Sequence, residues 1–379
     1  MRTANADKSA SRAASGAPVR AAHAAAPPSG ARLTSAAALV AAGLVPEQRL
    51  ARLEAVEARY GVAVTPAMAA LIDAADPGDP LARQFIPDST ELQAAEDEVA
   101  DPIGDDVHSP LPGLVHRYPD RVLIKLVSVC PVYCRFCFRR ETVGRKGSGL
   151  LPPEAIEAAL AYVAARPDIW EVVFSGGDPF ILSPRRIRDI VQRFGAIAHL
   201  KVMRWHTRVP AVAPERVTPA LVRALKSSGK AVYVALHANH PRELTPAARA
   251  ACARLVDAGI PMLGQTVLLK GVNDDEAILA ALMRAFVETR IKPYYLHQLD
   301  RAPGTAHLAV PIARGHELMR ALRGRLSGLC QPSYVLDIPG GHGKSPIGPS
   351  YLAGGAQGGA AAPWTVEDFS GRVHPYRRR

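Results

Sequence analysis

The chain has 379 residues, 48% of them apolar, with a formal net charge of +11; that length buries a substantial core in one large domain or two ordinary ones. No apolar run approaches the roughly 18 residues of a membrane span and the N-terminus has no signal-peptide core, so a soluble cytoplasmic protein is expected, with no membrane partner. Five cysteines, three of them crowded together, exclude a disulfide framework, and the positive charge is gathered at the two ends rather than in a binding groove.

Residues 1–34 hold Arg2, Lys8, Arg12, Arg20 and Arg32 against Asp7, and residues 371–379 hold Arg372, Arg377, Arg378 and Arg379. Such ends read as solvated tails, so no nucleic-acid partner is expected. The first 34 residues are also rich in Ala, Ser, Gly and Pro without helical period, which predicts a disordered basic tail, although a transit peptide reads similarly. From Ser35 to Ala75 apolar residues recur at three- and four-residue spacing and predict a helical extension. A polar, Pro-broken connecting arm follows, through "DPLARQFIP" (79–87), and ends near residue 111.

Beyond Arg121, short β-branched runs alternate with amphipathic stretches, the pattern of βα units on a parallel sheet. Strands are predicted at 121–127, 171–175, 200–205, 231–237, 262–269 and 293–298. Helices are predicted at 153–166, 185–197, 218–228, 245–258, 274–289 and 311–328, with a seventh strand at 333–338. Six units fall short of the eight in a closed barrel, so the predicted fold is α/β, a partial open (β/α)6 barrel over 112–338 with the N-terminal helical region (35–111) attached; a doubly wound sheet is the alternative. Residues 339–379 form a glycine-rich loop and C-terminal tail.

The polar residues gather at one end of this scheme. The cysteines follow the first strand, "SGGD" (175–178) the second, "HTR" (206–208) the third, "HANH" (237–240) the fourth and "HQLD" (297–300) the sixth. The C-terminal ends of parallel strands are where ligands bind, so this convergence predicts an enzyme. Cys130, Cys134 and Cys137 could hold zinc or an iron–sulfur cluster. A closed zinc site would want a fourth ligand, and Cys252 and Cys330 lie in apolar helical contexts as buried small side chains. A [4Fe–4S] cluster on three cysteines leaves one iron open. "DIPGGHGKSP" (337–346) is not a P-loop, because Ile338 stands where that motif needs glycine. Lys344 in this loop could reach a carbonyl, as Schiff-base chemistry with pyridoxal phosphate (PLP) requires, or be incidental to a surface loop.

The C-x3-C-x2-C spacing at the end of the first strand resembles the radical SAM superfamily. "SGGDP" (175–179) resembles its glycine-rich motif, where Ser175, Gly176, Gly177 and Asp178 would meet S-adenosylmethionine (SAM) and glycine lets the main chain approach closely. From "PGLVHRYPDRVL" (112–123) to "PGGHGKSP" (339–346) the chain is similar to the lysine 2,3-aminomutase family, "DPLARQFIP" included. The resemblance implies a radical 2,3-amino shift using a [4Fe–4S] cluster, SAM and PLP. It implies PLP on Lys344, with Tyr118, Arg121 and Gln265 around the cofactor and its phosphate. Arg139 would pair with the carboxylate of a small amino acid substrate, and Asp300 and Asp337 would clasp the ε-ammonium of lysine, favouring lysine over glutamate.

An external electron donor of the flavodoxin or ferredoxin type is further implied, and a homo-oligomer is admitted. No cysteine follows Cys330, so the C-terminal zinc of some relatives is not expected. "PYYLHQLDRAPGTAH" (293–307) looks more like the branch serving elongation factor P, a branch that commonly lacks an aspartate at the position of Asp337. The alternatives are an aminomutase for another amino acid such as glutamate, and a non-catalytic iron–sulfur or zinc-binding module. His206, His237, His240 and His297 are expected as hydrogen-bonded scaffolding.

Overall fold

A computed structural model describes residues 30–93, 95–144, 149–354 and 364–376; most of the two basic ends lies outside the described residues. The predicted alternation is realised. Strands β1 (Leu114–Tyr118), β2 (Arg121–Val127), β3 (Glu171–Gly176), β4 (Val202–Thr207), β5 (Ala231–His237), β6 (Met262–Val267), β7 (Ile291–His297), β8 (Ser333–Ile338) and β9 (Gly343–Pro346) form one sheet in sequence order. Strands β2 to β8 pair in parallel, and β1 and β9 flank them antiparallel.

The crossover helices are Pro153–Ala164, Pro184–Gly195, Pro219–Leu225, Pro246–Asp257, Glu276–Glu288 and Ile312–Leu322. Several start by the same local chemistry. Ser183, Thr218 and Thr245 each cap a helix whose first residue is proline, the side-chain oxygen accepting an orphan backbone N–H. The apolar stripe then packs on the sheet; Ile187, Ile190, Val191 and Phe194 of Pro184–Gly195 are buried in this way. Strand β3 is buried along Glu171–Ser175, as a strand covered on both faces must be.

The helical extension at 35–75 is built of the helices Ala36–Ala41, Leu50–Arg59 and Pro66–Ala69, separated where Gly43 takes φ +69° and where Pro46 and Pro66 interrupt the hydrogen-bond run. One expectation is corrected. The glycine-rich stretch at 339–346 is not a loop throughout. Asp337 pairs with Lys344 and Ile338 with Gly343 in a β8–β9 hairpin, so Lys344 stands on a strand. The barrel seam then closes through side chains. The Lys344 N–H donates to the Tyr118 hydroxyl at 2.7 Å and His108 Nε2 meets the Gly341 carbonyl at 2.7 Å.

The N-terminal arm shares the barrel's core: Leu39, Leu53, Met68, Leu81 and Phe85 belong to the same buried cluster as the strands. Its firmest tie to the cysteine segment is ionic. Glu91, buried, accepts from Arg135 Nε at 2.9 Å and from Arg140 Nη2, while Arg135 Nη1 donates to the Gly61 carbonyl at 2.9 Å. The Arg140 guanidinium lies over the Tyr60 ring, 3.6 Å from its centroid. Because both arginines are buried, Glu91→Ala should cost about 3–5 kcal/mol, read as a lower midpoint in urea unfolding. Glu288→Ala, at the exposed pair with Arg249, should leave the midpoint unchanged.

Candidate active site

A cavity of about 890 Å³ runs through the barrel from the C-terminal strand ends to the N-terminal ones. At its mouth lie Cys130, Cys134 and Cys137, carried by the loop after β2. Burial, followed by the charge of Asp178 and the other two sulfurs, pushes the Cys130 thiol well above its usual range; burial, followed by Cys134, pushes Cys137 up to about 11. Two thiols held protonated by burial, with the Cys134 sulfur beside them, are a donor set suited to a metal, which would displace their protons on binding. Among the described residues no three His, Cys, Asp or Glu side chains converge as a single-ion site requires. Thiols spread around one cavity suit a polynuclear cluster, where each sulfur takes its own iron. Cys252 and Cys330 are buried in the core, as expected.

The loop after β3 crosses directly behind the cysteines. Gly176 adopts φ +113°, and a Cβ there would lie 2.2 Å from the Val127 carbonyl oxygen; at Gly177 it would lie 2.3 Å from that of Val129. These glycines therefore admit close approach of the chain's own backbone, from the segment leading into Cys130. Ser175 faces the cavity and accepts from Arg139 Nη1 at 3.4 Å. Asp178 also lines it, but its carboxylate accepts from Thr207 Oγ1 at 2.7 Å and from the backbone N–H of Phe180, Arg208 and Val209. That carboxylate braces the loop after β3 against the loop after β4.

Arg139 reaches the cavity held by Asp105, Nη2 to Oδ2 at 3.0 Å, and Asp105 also pairs with Arg117 and Lys125. Deeper in, the Arg121 guanidinium stacks on the Tyr118 ring 3.9 Å from its centroid, and Gln265 lines the wall. Lys344 enters from β9, its Nζ ion-paired with Asp337 and 3.3 Å from His297 Nδ1. Burial acts against ionisation of Asp337, but His297, 3.8 Å away, and the ion-paired Lys344 ammonium outweigh it and hold the carboxyl down at about 2. Asp300 has the opposite balance. Burial, reinforced by the Asp337 charge, raises it to about 7. All the predicted site residues therefore line one cavity. The amine at Lys344, the Arg121 guanidinium and the Tyr118 ring suit an aldehyde cofactor carrying a phosphate.

The histidines divide. His237 Nε2 donates to Asn239 Oδ1 at 3.0 Å, and His240 Nδ1 accepts from the Arg242 N–H at 3.2 Å, as scaffolding should. His297 instead touches Lys344, and His206 Nε2 is buried with no hydrogen-bond partner. Burial and the nearby Arg204 and Arg139 charges keep His206 well below the usual imidazole range, hence neutral. Sequence reasoning also passed over Arg204, which faces the cavity and donates to Glu171 at 3.0 Å. Its position on β4, two residues before the flagged "HTR", was the only signal.

Residues 124–282 match the model of the radical SAM superfamily. L-lysine 2,3-aminomutase of Clostridium subterminale is 41% identical over 291 residues, covering 77% of this chain and 70% of that one. The chain belongs to the lysine 2,3-aminomutase family. Its members are isomerases of the radical SAM superfamily, so a [4Fe–4S] cluster, SAM, a reductant and a small-molecule substrate are implied. L-lysine 2,3-aminomutase of Acetoanaerobium sticklandii is 42% identical with the same coverage, and glutamate 2,3-aminomutase of Clostridioides difficile is 33% identical over 79% of this chain and 70% of its own. Among the described residues no helix is long and apolar enough to cross a membrane.

Asp300 supplies a pH test. Its folded-state pKa is raised, so the folded protein binds more protons than the unfolded chain between about pH 4 and 7, and stability falls as pH rises through that window. Asp300→Asn in the ligand-free protein should match the parent near pH 4 and become more stable by up to about 4 kcal/mol above pH 7. Urea unfolding at a series of pH values reads the difference.

Proposed function

We propose that this enzyme converts L-lysine to β-lysine by moving the amino group from C2 to C3, with PLP carried on Lys344 and the [4Fe–4S] cluster on Cys130, Cys134 and Cys137. When bound, the cluster with SAM supplies a one-electron route to hydrogen abstraction, and PLP supplies the carbonyl that carries the migrating nitrogen. The remaining work falls to side chains of the chain itself.

One observation carries the choice of lysine. Asp337 and Asp300 face the same cavity, and Asp337 already grips an ammonium, that of Lys344, while burial and the Asp337 charge push Asp300 towards neutrality. A second ammonium, brought by the substrate side chain, would let both carboxylates ionise, whereas an acidic side chain would add a third negative group. Arg139, oriented by Asp105, is the cation for the substrate carboxylate, and Ser175 beside it offers a hydroxyl. Tyr118, Arg121 and Gln265 are the donors for the cofactor phosphate and ring, with Gly176, Gly177, Ser175 and Asp178 shaping the SAM pocket next to the cysteines.

Lys344 must give up a proton before its amine can act as a nucleophile. His297, kept neutral by burial and by the Lys344 charge, is 3.3 Å away and can take it. A barrel interior closed at the seam by Tyr118 and His108 keeps water from a reactive site. The presence of a glutamate 2,3-aminomutase among the relatives makes glutamate the competing substrate.

Anaerobic protein reconstituted with iron, sulfide, SAM, PLP and a reductant is offered L-lysine and L-glutamate separately. The expected product is β-lysine, absent with Cys134→Ala and with Lys344→Ala. Asp337→Asn should raise the KM for lysine at least about tenfold, the loss of a buried charge partner. β-Glutamate in place of β-lysine would reject the substrate assignment.

A further inference from the structure

Arg208, in the loop after β4, is buried and makes contacts that the reaction does not explain. Nη1 donates to Cys134 Sγ at 2.8 Å, and Nη2 donates to Gln84 Oε1 at 2.6 Å and to Glu243 Oε2 at 2.7 Å. The guanidinium lies near two rings, 4.7 Å from the Phe85 centroid and 5.3 Å from that of Phe136. Its own backbone N–H is held by Asp178 Oδ2 at 2.7 Å.

Each partner is fixed by another. Glu243 is buried, and its Oε1 accepts from the backbone N–H of Asn239 at 2.9 Å, from that of His240 at 3.0 Å and from Gln84 Nε2 at 3.1 Å. Asn239 Nδ2 donates to Gln84 Oε1 at 3.0 Å. The guanidinium thus has one available orientation. A plain counter-ion for Glu243 would turn both Nη groups onto the carboxylate in a fork; here one of them is turned to sulfur.

We infer that Arg208 is a positioning residue of the cluster, whose N–H···S bond to Cys134 raises the cluster's reduction potential, with Gln84 of the N-terminal arm and Glu243 setting the direction of that bond. The inference rests on the reading of the three cysteines as cluster ligands. Reduction brings one electron from the external donor into the cluster, with no bond made or broken. The added negative charge spreads onto the thiolate sulfurs, where a fixed donor and a buried cation stabilise the reduced state more than the oxidised one. The arm motif "DPLARQFIP" thereby acquires a role in electron acceptance, through Gln84 and Phe85.

The test compares reconstituted parent protein with Arg208→Lys, with Gln84→Leu, and with the double variant Arg208→Met/Glu243→Gln, which removes both charges and orphans neither. Iron and sulfide contents are measured, then the cluster potential by an EPR-monitored redox titration, and the melting temperature of each protein. The double variant should keep its cluster and fall by at least about 59 mV, a tenfold change in the reduced-to-oxidised ratio of a one-electron couple. Arg208→Lys and Gln84→Leu should fall by less. Equal potentials in parent and double variant would overturn the inference. So would loss of the cluster from the variants at unchanged melting temperature, which would make Arg208 a determinant of assembly. A parent protein that binds no iron–sulfur cluster refutes the underlying cluster reading instead.

Discussion

Glu91 holds two arginines of the cysteine segment, and the position of that segment over the barrel follows from it. Arg135 sits between Cys134 and Cys137, and Arg140 lies three residues beyond the last cysteine. A loop of this length has no periodic hydrogen bonds of its own, so its conformation must be imposed by side chains. A buried carboxylate shared by two guanidiniums does so at high stakes, because removing it strands two charges in the interior. The same layer contains the Arg208, Gln84 and Glu243 network, so the N-terminal arm and the barrel meet through buried ion pairs as well as through apolar packing.

A cavity through the centre of a parallel sheet removes core that would otherwise stabilise the fold, and polar groups must be balanced along it. The balance is kept by pairs: Arg139 with Asp105, Arg204 with Glu171, Lys344 with Asp337. Asp300 is the exception, with burial and a neighbouring carboxylate both opposing its charge. Unbalanced groups of this kind mark sites where a ligand completes the electrostatics. The cavity therefore has an end lined by three cysteine sulfurs and an end lined by two carboxylates, which is the complementarity expected for a metal cluster and an amine.

The barrel was legible in the sequence because its signals are local. Runs such as "EVVFS" and helices beginning Ser-Pro or Thr-Pro carry their structure within a dozen residues, and every predicted strand and helix between 121 and 338 has its counterpart. The flanking strands were not legible. β1 and β9 are short, and glycine or proline stands in or beside each, so neither has a two-residue period to read. The role of the arm was hidden for another reason. "DPLARQFIP" is polar and Pro-broken, and the reach of Gln84 to Arg208 spans 124 residues of sequence. The glycines of "SGGD" signalled close approach correctly, but only the folded chain reveals that the partner is its own backbone. Asp337 was read as a substrate clasp, and its pairing with Lys344 across a hairpin depends on a register that no residue pattern announces.

The central claim is that the amine of Lys344 and the three cysteines serve one cavity and one reaction. The direct measurement is to load the reconstituted, cluster-bearing protein with PLP, reduce it with borohydride, digest it and map the modified lysine by mass spectrometry. The account predicts a pyridoxyl group on Lys344 and on no other lysine. Modification spread over surface lysines with Lys344 untouched would contradict it.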